Sequence, residues 1–328
     1  MSLGAWLLAL GAGACALLMG AAIQRGATCT VAAVNELIDQ RRGTRLASLL
    51  EASLWVAGGL LLLRALPLPA PMLPVPYALS GWTVLGAALL GLGAFVNQAC
   101  VFGAIARLGN GEWAYLATPL GFYLGCLSVG TLFANARPQP LSPGSPLWAA
   151  PLALGAAFAA FVLWRLARAW RQRTAPARRW WTPHVATVSI GLAFLALLLL
   201  EGAWAYTDAL AELARGMVMH HGIRLALFGC LLGGAVWGGW RAGLWRARPL
   251  RAADLLRCFS GGLLMGWGSL LIPGGNDGLI LLGLPLLWPY AWVAFATMCV
   301  VVALAHWATR TATRRFTIDA SSSSTAAP

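Results

Sequence analysis

GLGAFVNQACVFGAIARLGNGEW, residues 91–113, decides how this chain is read. An apolar, small-residue helix runs into Asn97, Gln98 and Cys100, and Arg107 follows the interruption. Two other stretches share the device: MGAAIQRGATCTVAAV around Cys29 and LMGWGSLLIPGGNDGLILL around Gly275. A polar, Gly-containing break inside an apolar helix leaves backbone groups without helical partners. In a bilayer such groups must face a protein interior or a water-filled cavity.

The surrounding chain is that of a membrane protein. Of its 328 residues 59% are hydrophobic and 10% are charged, against roughly 25% charged in a soluble domain. The mean hydropathy is +0.73. Apolar blocks long enough to cross a bilayer give an all-α polytopic fold with nine spans, at 3–22, 46–66, 79–96, 113–134, 147–164, 185–204, 222–240, 259–272 and 279–308. The first block lacks a basic leader and reads as a retained helix.

Net charge is +13, carried entirely by Arg. Those residues cluster in alternate loops: RRGTR at 41–45, six Arg within 165–179 and five within 240–257. Topology control explains them, so nucleic acid is not the expected partner. The positive-inside rule puts these loops in the cytoplasm, the N-terminus outside and the C-terminus inside. The expected location is a bacterial inner membrane. Residues 1–308 read as one transport domain, and 309–328 as a disordered tail.

Internal repetition divides that domain. FVNQACVFGAIARLGNG follows GAALLGLGA, and SLLIPGGNDGLILLGLP follows GGLLMGWGS. Related halves at about 1–164 and 182–308, joined by the basic loop 165–181, account for this. Broken helices at matching places in two repeats point to a transporter binding site. A helix restarting after a break aims N–H groups and a positive dipole end at the gap, a place suited to an anion.

The seven cysteines include no CxxC. There is no HExxH, Walker motif, Gly-rich nucleotide loop or carboxylate pair, so neither a metal nor a cofactor is expected and the chain reads as a non-enzyme. Cys29 and Cys100 stand apart from the other cysteines because they sit at breaks. Arg25 and Arg107 would share a helical face with them if each helix were continuous. The expected substrate path comprises Arg25, Cys29, Asn97, Gln98, Cys100, Arg107, Gly275, Asn276 and Asp277. Asp277 also reads as an N-cap for a helix starting at Gly278, and Glu51 as a helix-end carboxylate in water.

The middle block resembles the signature of the YeeE/YedE family of sulfur-transport membrane proteins, at Cys100, Gly103, Arg107, Leu108, Gly109 and Gly111. QRGATCTVAAV and GGLLMGWGSLLIPGGNDGLI are similar to its other two motifs. The resemblance implies import of an inorganic sulfur anion such as thiosulfate through an hourglass-shaped helical fold. Re-entrant segments would meet at its centre and cysteines there would pass the anion along. It also implies a cytoplasmic sulfurtransferase as a candidate partner. Where the family carries Gly-Cys-Asn this chain has Gly274, Gly275 and Asn276, so one thiol is missing. Three other readings stay open: another oxyanion or selenium compound as cargo, a membrane thiol oxidoreductase or sulfurtransferase, and a non-transporting scaffold or sensor.

Overall fold

A computed structural model describes residues 3–66, 73–171, 181–216 and 221–324. The first helices are α1 (Leu3–Gly26), α2 (Thr30–Gln40), α3 (Thr44–Arg64), α4 (Gly81–Asn97) and α5 (Val101–Gly109). A 3-10 turn at Trp113–Leu116 leads into α6 (Ala117–Leu132), and α7 spans Leu152–Arg171. Next come α8 (Pro183–Leu200), α9 (Tyr206–Ala214), α10 (His221–Arg241) and α11 (Ala252–Leu271). α12 (Asn276–Gly278) continues as a π-helical stretch, Leu279–Gly283, before α13 (Pro289–Ser324). Among the described residues the only β-pairing is an isolated bridge, Tyr77 to Pro140. The fold is all-α, as the composition implies.

The same order of elements occurs twice. Long helix, break, short helix, two long helices, break, short helix, long helix describes α1–α6 and again α8–α13, with α7 between. The packing follows the same exchange. α1 lies on α10 as α8 lies on α3, and α11 lies on α6 as α4 lies on α13. α1 meets α8 and α4 meets α11 across the middle.

Glycine makes the closest crossings. A Cβ on Gly20 would fall 1.9 Å from Leu231 O, and one on Gly234 2.0 Å from Leu17 O, so α1 and α10 touch backbone to backbone. α6 and α11 do the same at Gly121 and Gly262. Small residues let helices approach this closely where no hydrophobic effect drives them together in lipid. Gly234→Ala is therefore expected to push α1 and α10 apart. It should destabilise the protein by about 1–3 kcal/mol, read as a lower melting temperature in detergent, with Gly229→Ala, where the added methyl meets nothing within 4 Å, as the neutral control.

Among the described residues seven helices are long and apolar enough to cross a bilayer, or eight if the bent pair Ala252–Leu271 and Asn276–Gly283, angled at 52°, forms one span. Nine was a slight overcount. The 147–164 block becomes α7, whose apolar run ends at Arg165. By composition α7 therefore falls short of the candidate spans. The expected span at 279–308 begins only at Pro289, because its first residues belong to the bent segment. Leu7, Leu10, Leu120 and Leu304 are exposed on the surface, as a lipid-facing side requires.

Three other expectations meet particular outcomes. The segment 205–221, read as a loop, contains α9, whose Tyr206, Thr207, Ala209, Leu210 and Ala211 are buried. Glu51 lies inside α3, where it pairs with Arg165 of α7 at 3.0 Å and with His184 of α8, instead of ending a helix in water. α13 continues to Ser324, into the segment read as a tail; 325–328, and 172–180 of the basic loop, lie outside the described residues.

Candidate functional site

Each break ends one helix and starts another by a local device. α1 stops where Ala27 takes a positive φ of 46°, and Cys29 is extended before Thr30 opens α2. α4 stops at Gln98, φ 58°, whose N–H bonds back to Ala94 O and Phe95 O. That left-handed closure is normally a glycine's or asparagine's place. Cys100, again extended, then opens α5. At the third break Pro273 and Gly274 have φ of 30° and 152°, and Gly275 precedes α12. A fourth break, through Gly202 at φ 83° to the buried Trp204, opens α9.

The four helix starts meet. Thr30 N–H points at Cys100 Sγ, 3.1 Å away. The Cys29 and Cys100 side chains lie close enough to interact with each other. A Cβ on Gly103 would fall 2.6 Å from Cys29 Sγ, so only glycine lets α5 pack onto that thiol. Asn276 Nδ2 donates to Thr30 Oγ1 at 3.3 Å, joining α12 to α2. Tyr206 donates its hydroxyl to Val101 O at 2.9 Å, joining α9 to α5. Cys100 is 0% exposed and Cys29 9%, so the meeting point is closed.

Asp277 completes the centre in a way the sequence did not indicate. It is 2% exposed. Gly275, not Asp277, is the N-cap of α12. The Asp277 carboxylate accepts from Gly278 N at 3.1 Å, from Thr207 N at 3.3 Å and from the Thr207 hydroxyl. Thr207 stands in the first turn of α9. Asp277 thus satisfies the opening turn of a neighbouring helix, and its charge is held by the kind of N–H array that favours an anion.

Two cavities flank this centre. The larger, about 850 Å³, is bordered by Tyr77, Glu201, Asp208, Arg215, Arg224 and Tyr290. Within it Arg224 donates twice to Glu212, at 2.7 and 2.6 Å. The smaller, about 290 Å³, is bordered by Gln98, Arg107, Glu112, Tyr115, Arg251 and Arg257 among others.

The expected path residues therefore divide. Cys29, Cys100, Gly275, Asn276 and Asp277 come together at the helix starts. Gln98 and Arg107 border the smaller cavity, where Arg107 pairs with Glu112 at 3.3 Å. Asn97 is fully buried and used as a clamp: its amide donates to Ala99 O at 2.8 Å and its Oδ1 accepts from Thr118 at 3.0 Å. Arg25, half-buried in the last turn of α1, borders neither cavity. The helical faces expected to join Arg25 to Cys29 and Cys100 to Arg107 assumed continuous helices. The chain turns at Ala27 between the first pair, and Arg107 lies at the other end of α5 from Cys100. Thr30, Thr207, Asp208 and Arg257 were not singled out from the sequence.

Paired broken helices whose short halves start at a shared, buried polar centre, with a cavity on either side, define a multi-pass helical membrane transporter. The family model described as sulphur transport matches residues 25–304. The chain therefore belongs to the sulphur-transport family, the YeeE/YedE group of sulphur transporters. A comparison with individually curated proteins gives no match.

Proposed function

We propose that the protein imports a small sulfur oxyanion, thiosulfate foremost, across a bacterial inner membrane. The anion moves from the larger cavity past Cys29 and Cys100 to the smaller one. The observation that carries this reading is that Cys29 and Cys100 stand together at the starts of α2 and α5, with the starts of α9 and α12 joined to them through Tyr206–Val101 and Asn276–Thr30. A dianion leaving water must gain donors, and helix starts supply both N–H groups and positive potential. A neutral thiol is a weak donor. Weakness suits passage, since an ion must be released as well as held.

The excess of Arg beside the smaller cavity supports an orientation: with basic loops cytoplasmic, that cavity would open inward, with the N-terminus outside and the C-terminus inside. Asp277 does not oppose the anion with a bare charge, because Thr207 and Gly278 already hold it. A cytoplasmic sulfurtransferase would receive the cargo at the basic face formed by the 240–257 loop.

Growth of a thiosulfate-uptake-deficient bacterium on thiosulfate as sole sulfur source tests the reading. The wild-type gene is expected to restore growth and an empty vector is not. Failure of the well-expressed protein, together with rescue on selenite or another oxyanion, would transfer the scaffold to a different cargo. Failure on every anion would leave a non-transporting role.

A further inference from the structure

The smaller cavity has features that a simple exit does not need. Four guanidinium groups, those of Arg107, Arg248, Arg251 and Arg257, border it against two carboxylates, Glu112 and Asp254. Glu112 is shared between Arg107 at 3.3 Å and Arg248 at 3.7 Å. Asp254 pairs with Arg257 at 3.3 Å. Among the described residues Arg251 has no ion pair, so the cavity keeps an excess of positive charge. Arg107 and Arg257 both sit against the ring of Tyr115, at 5.3 and 5.7 Å from its centroid, which fixes where their planar heads lie.

Arg257 has a second contact. Its Nη1 donates to Asn97 O at 2.9 Å. Asn97 immediately precedes the left-handed Gln98, which turns the chain toward Cys100. The same carbonyl also accepts from the Tyr115 hydroxyl at 3.2 Å. A side chain that faces the cavity therefore also grips the backbone of the break. Side-chain exposure of 23% leaves the Arg257 head reachable from the cavity.

Taking these together, we propose that the smaller cavity is a binding site for a small dianionic oxyanion, with Arg257 and Arg251 as its principal donors and Arg107 and Gln98 completing it. The site rests on the transport reading, because it places the departing cargo there before release. Its volume suits a single oxyanion with a few waters and lies at the small end for ligand pockets. Planar, forked guanidinium groups match the oxygen edges of such an ion, which a point charge does not.

Equilibrium binding of labelled thiosulfate to the purified full-length protein in detergent is the test, with unlabelled sulfate as competitor. Wild type is expected to bind thiosulfate and to release it to sulfate. Arg257→Gln should weaken binding by roughly tenfold or more, with Arg257→Lys recovering only part of it. Arg251→Gln covers the case in which Arg257→Gln does not fold, since Arg251 is exposed and unpaired, and should weaken binding by several-fold. Binding at wild-type strength in both Gln variants would overturn the site. Uptake into proteoliposomes, measured on the same wild-type preparation, separates the two ideas. Uptake without Arg-dependent binding removes the site and leaves transport standing. Arg-dependent binding without uptake of any oxyanion keeps the site and removes the transport reading.

Discussion

Replacing Cys100 by alanine is expected to lower thiosulfate uptake by about 10–100-fold, while Cys100→Ser folds normally and transports at an intermediate rate. The alanine change removes two things at once. It deletes one of the adjoining thiols at the closed centre, and it takes away the acceptor that faces Thr30 N–H at 3.1 Å. A buried N–H left without a partner costs about 1–3 kcal/mol of folding stability; the loss of uptake comes from the missing thiol donor, and about 1.4–2.8 kcal/mol of lost ion stabilisation corresponds to a 10–100-fold change. Serine keeps an acceptor and a donor in nearly the same place, so the start of α2 stays satisfied. Its hydroxyl is the stronger donor, and a site that holds its ion more firmly releases it more slowly. Uptake of labelled thiosulfate into vesicles, with melting temperature as the control for folding, distinguishes the two effects. Full uptake by a folded Cys100→Ala protein would remove Cys100 from the path and leave it a structural cap.

What the sequence made legible was periodic or repeated. Long apolar runs located every helix that is long enough to cross the bilayer. The Cys29, Cys100 and Gly275 breaks announced themselves through polar residues and glycine inside apolar surroundings. What stayed hidden depended on partners distant in the chain. WAYTDAL at 204–210 reads as a solvated loop because of Asp208 and the Glu212 beyond it. In the fold those acids border a cavity, and Arg224 from α10 holds Glu212. The repeat itself was the available signal. One half with two breaks implies a second half with two, and Gly202–Ala205 is the counterpart of Ala27–Cys29.

Asn97 shows the converse difficulty. A polar residue beside a membrane-embedded cysteine invites a role in the path. Its side-chain amide is instead used within the protein, by Thr118 and by Ala99 O, and its carbonyl by Tyr115 and Arg257. Sequence showed that a polar group had to be satisfied at depth but not what would satisfy it. Arg257 was passed over for the related reason that it belongs to a basic loop with a sufficient explanation in topology. In the fold it lies in α11, and its bond to the Asn97 carbonyl and its place on the Tyr115 ring separate it from the loop arginines.

The missing third thiol has a structural counterpart, and it leads to the second large effect. Gly275→Cys, which restores the family's Gly-Cys-Asn pattern, is expected to lower folded yield sharply instead of improving transport. A Cβ at position 275 would lie 2.1 Å from Thr207 Oγ1 and 2.7 Å from both Thr207 Cβ and Asp277 Oδ1. Thr207 is fully buried and donates to Asp277, so it has no free rotamer into which to retreat. Overpacking costs about 1–3 kcal/mol, and a displaced Thr207 adds a comparable penalty by leaving the buried carboxylate short of a donor. Changing Thr207→Gly in the same chain removes both of its side-chain contacts, at about 1 kcal/mol of helix propensity plus the lost donor to Asp277, which a displaced Thr207 forfeits as well. The double variant should therefore be more stable than Gly275→Cys alone, with a favourable coupling of about 1–3 kcal/mol between the two positions. Melting temperatures of the wild type, both single variants and the double variant close the cycle. Additive losses would mean that Thr207 does not occupy the space of the absent side chain. Favourable coupling would mean that glycine at 275 and threonine at 207 are one arrangement, in which a hydroxyl held by Asp277 stands where a thiol would otherwise be.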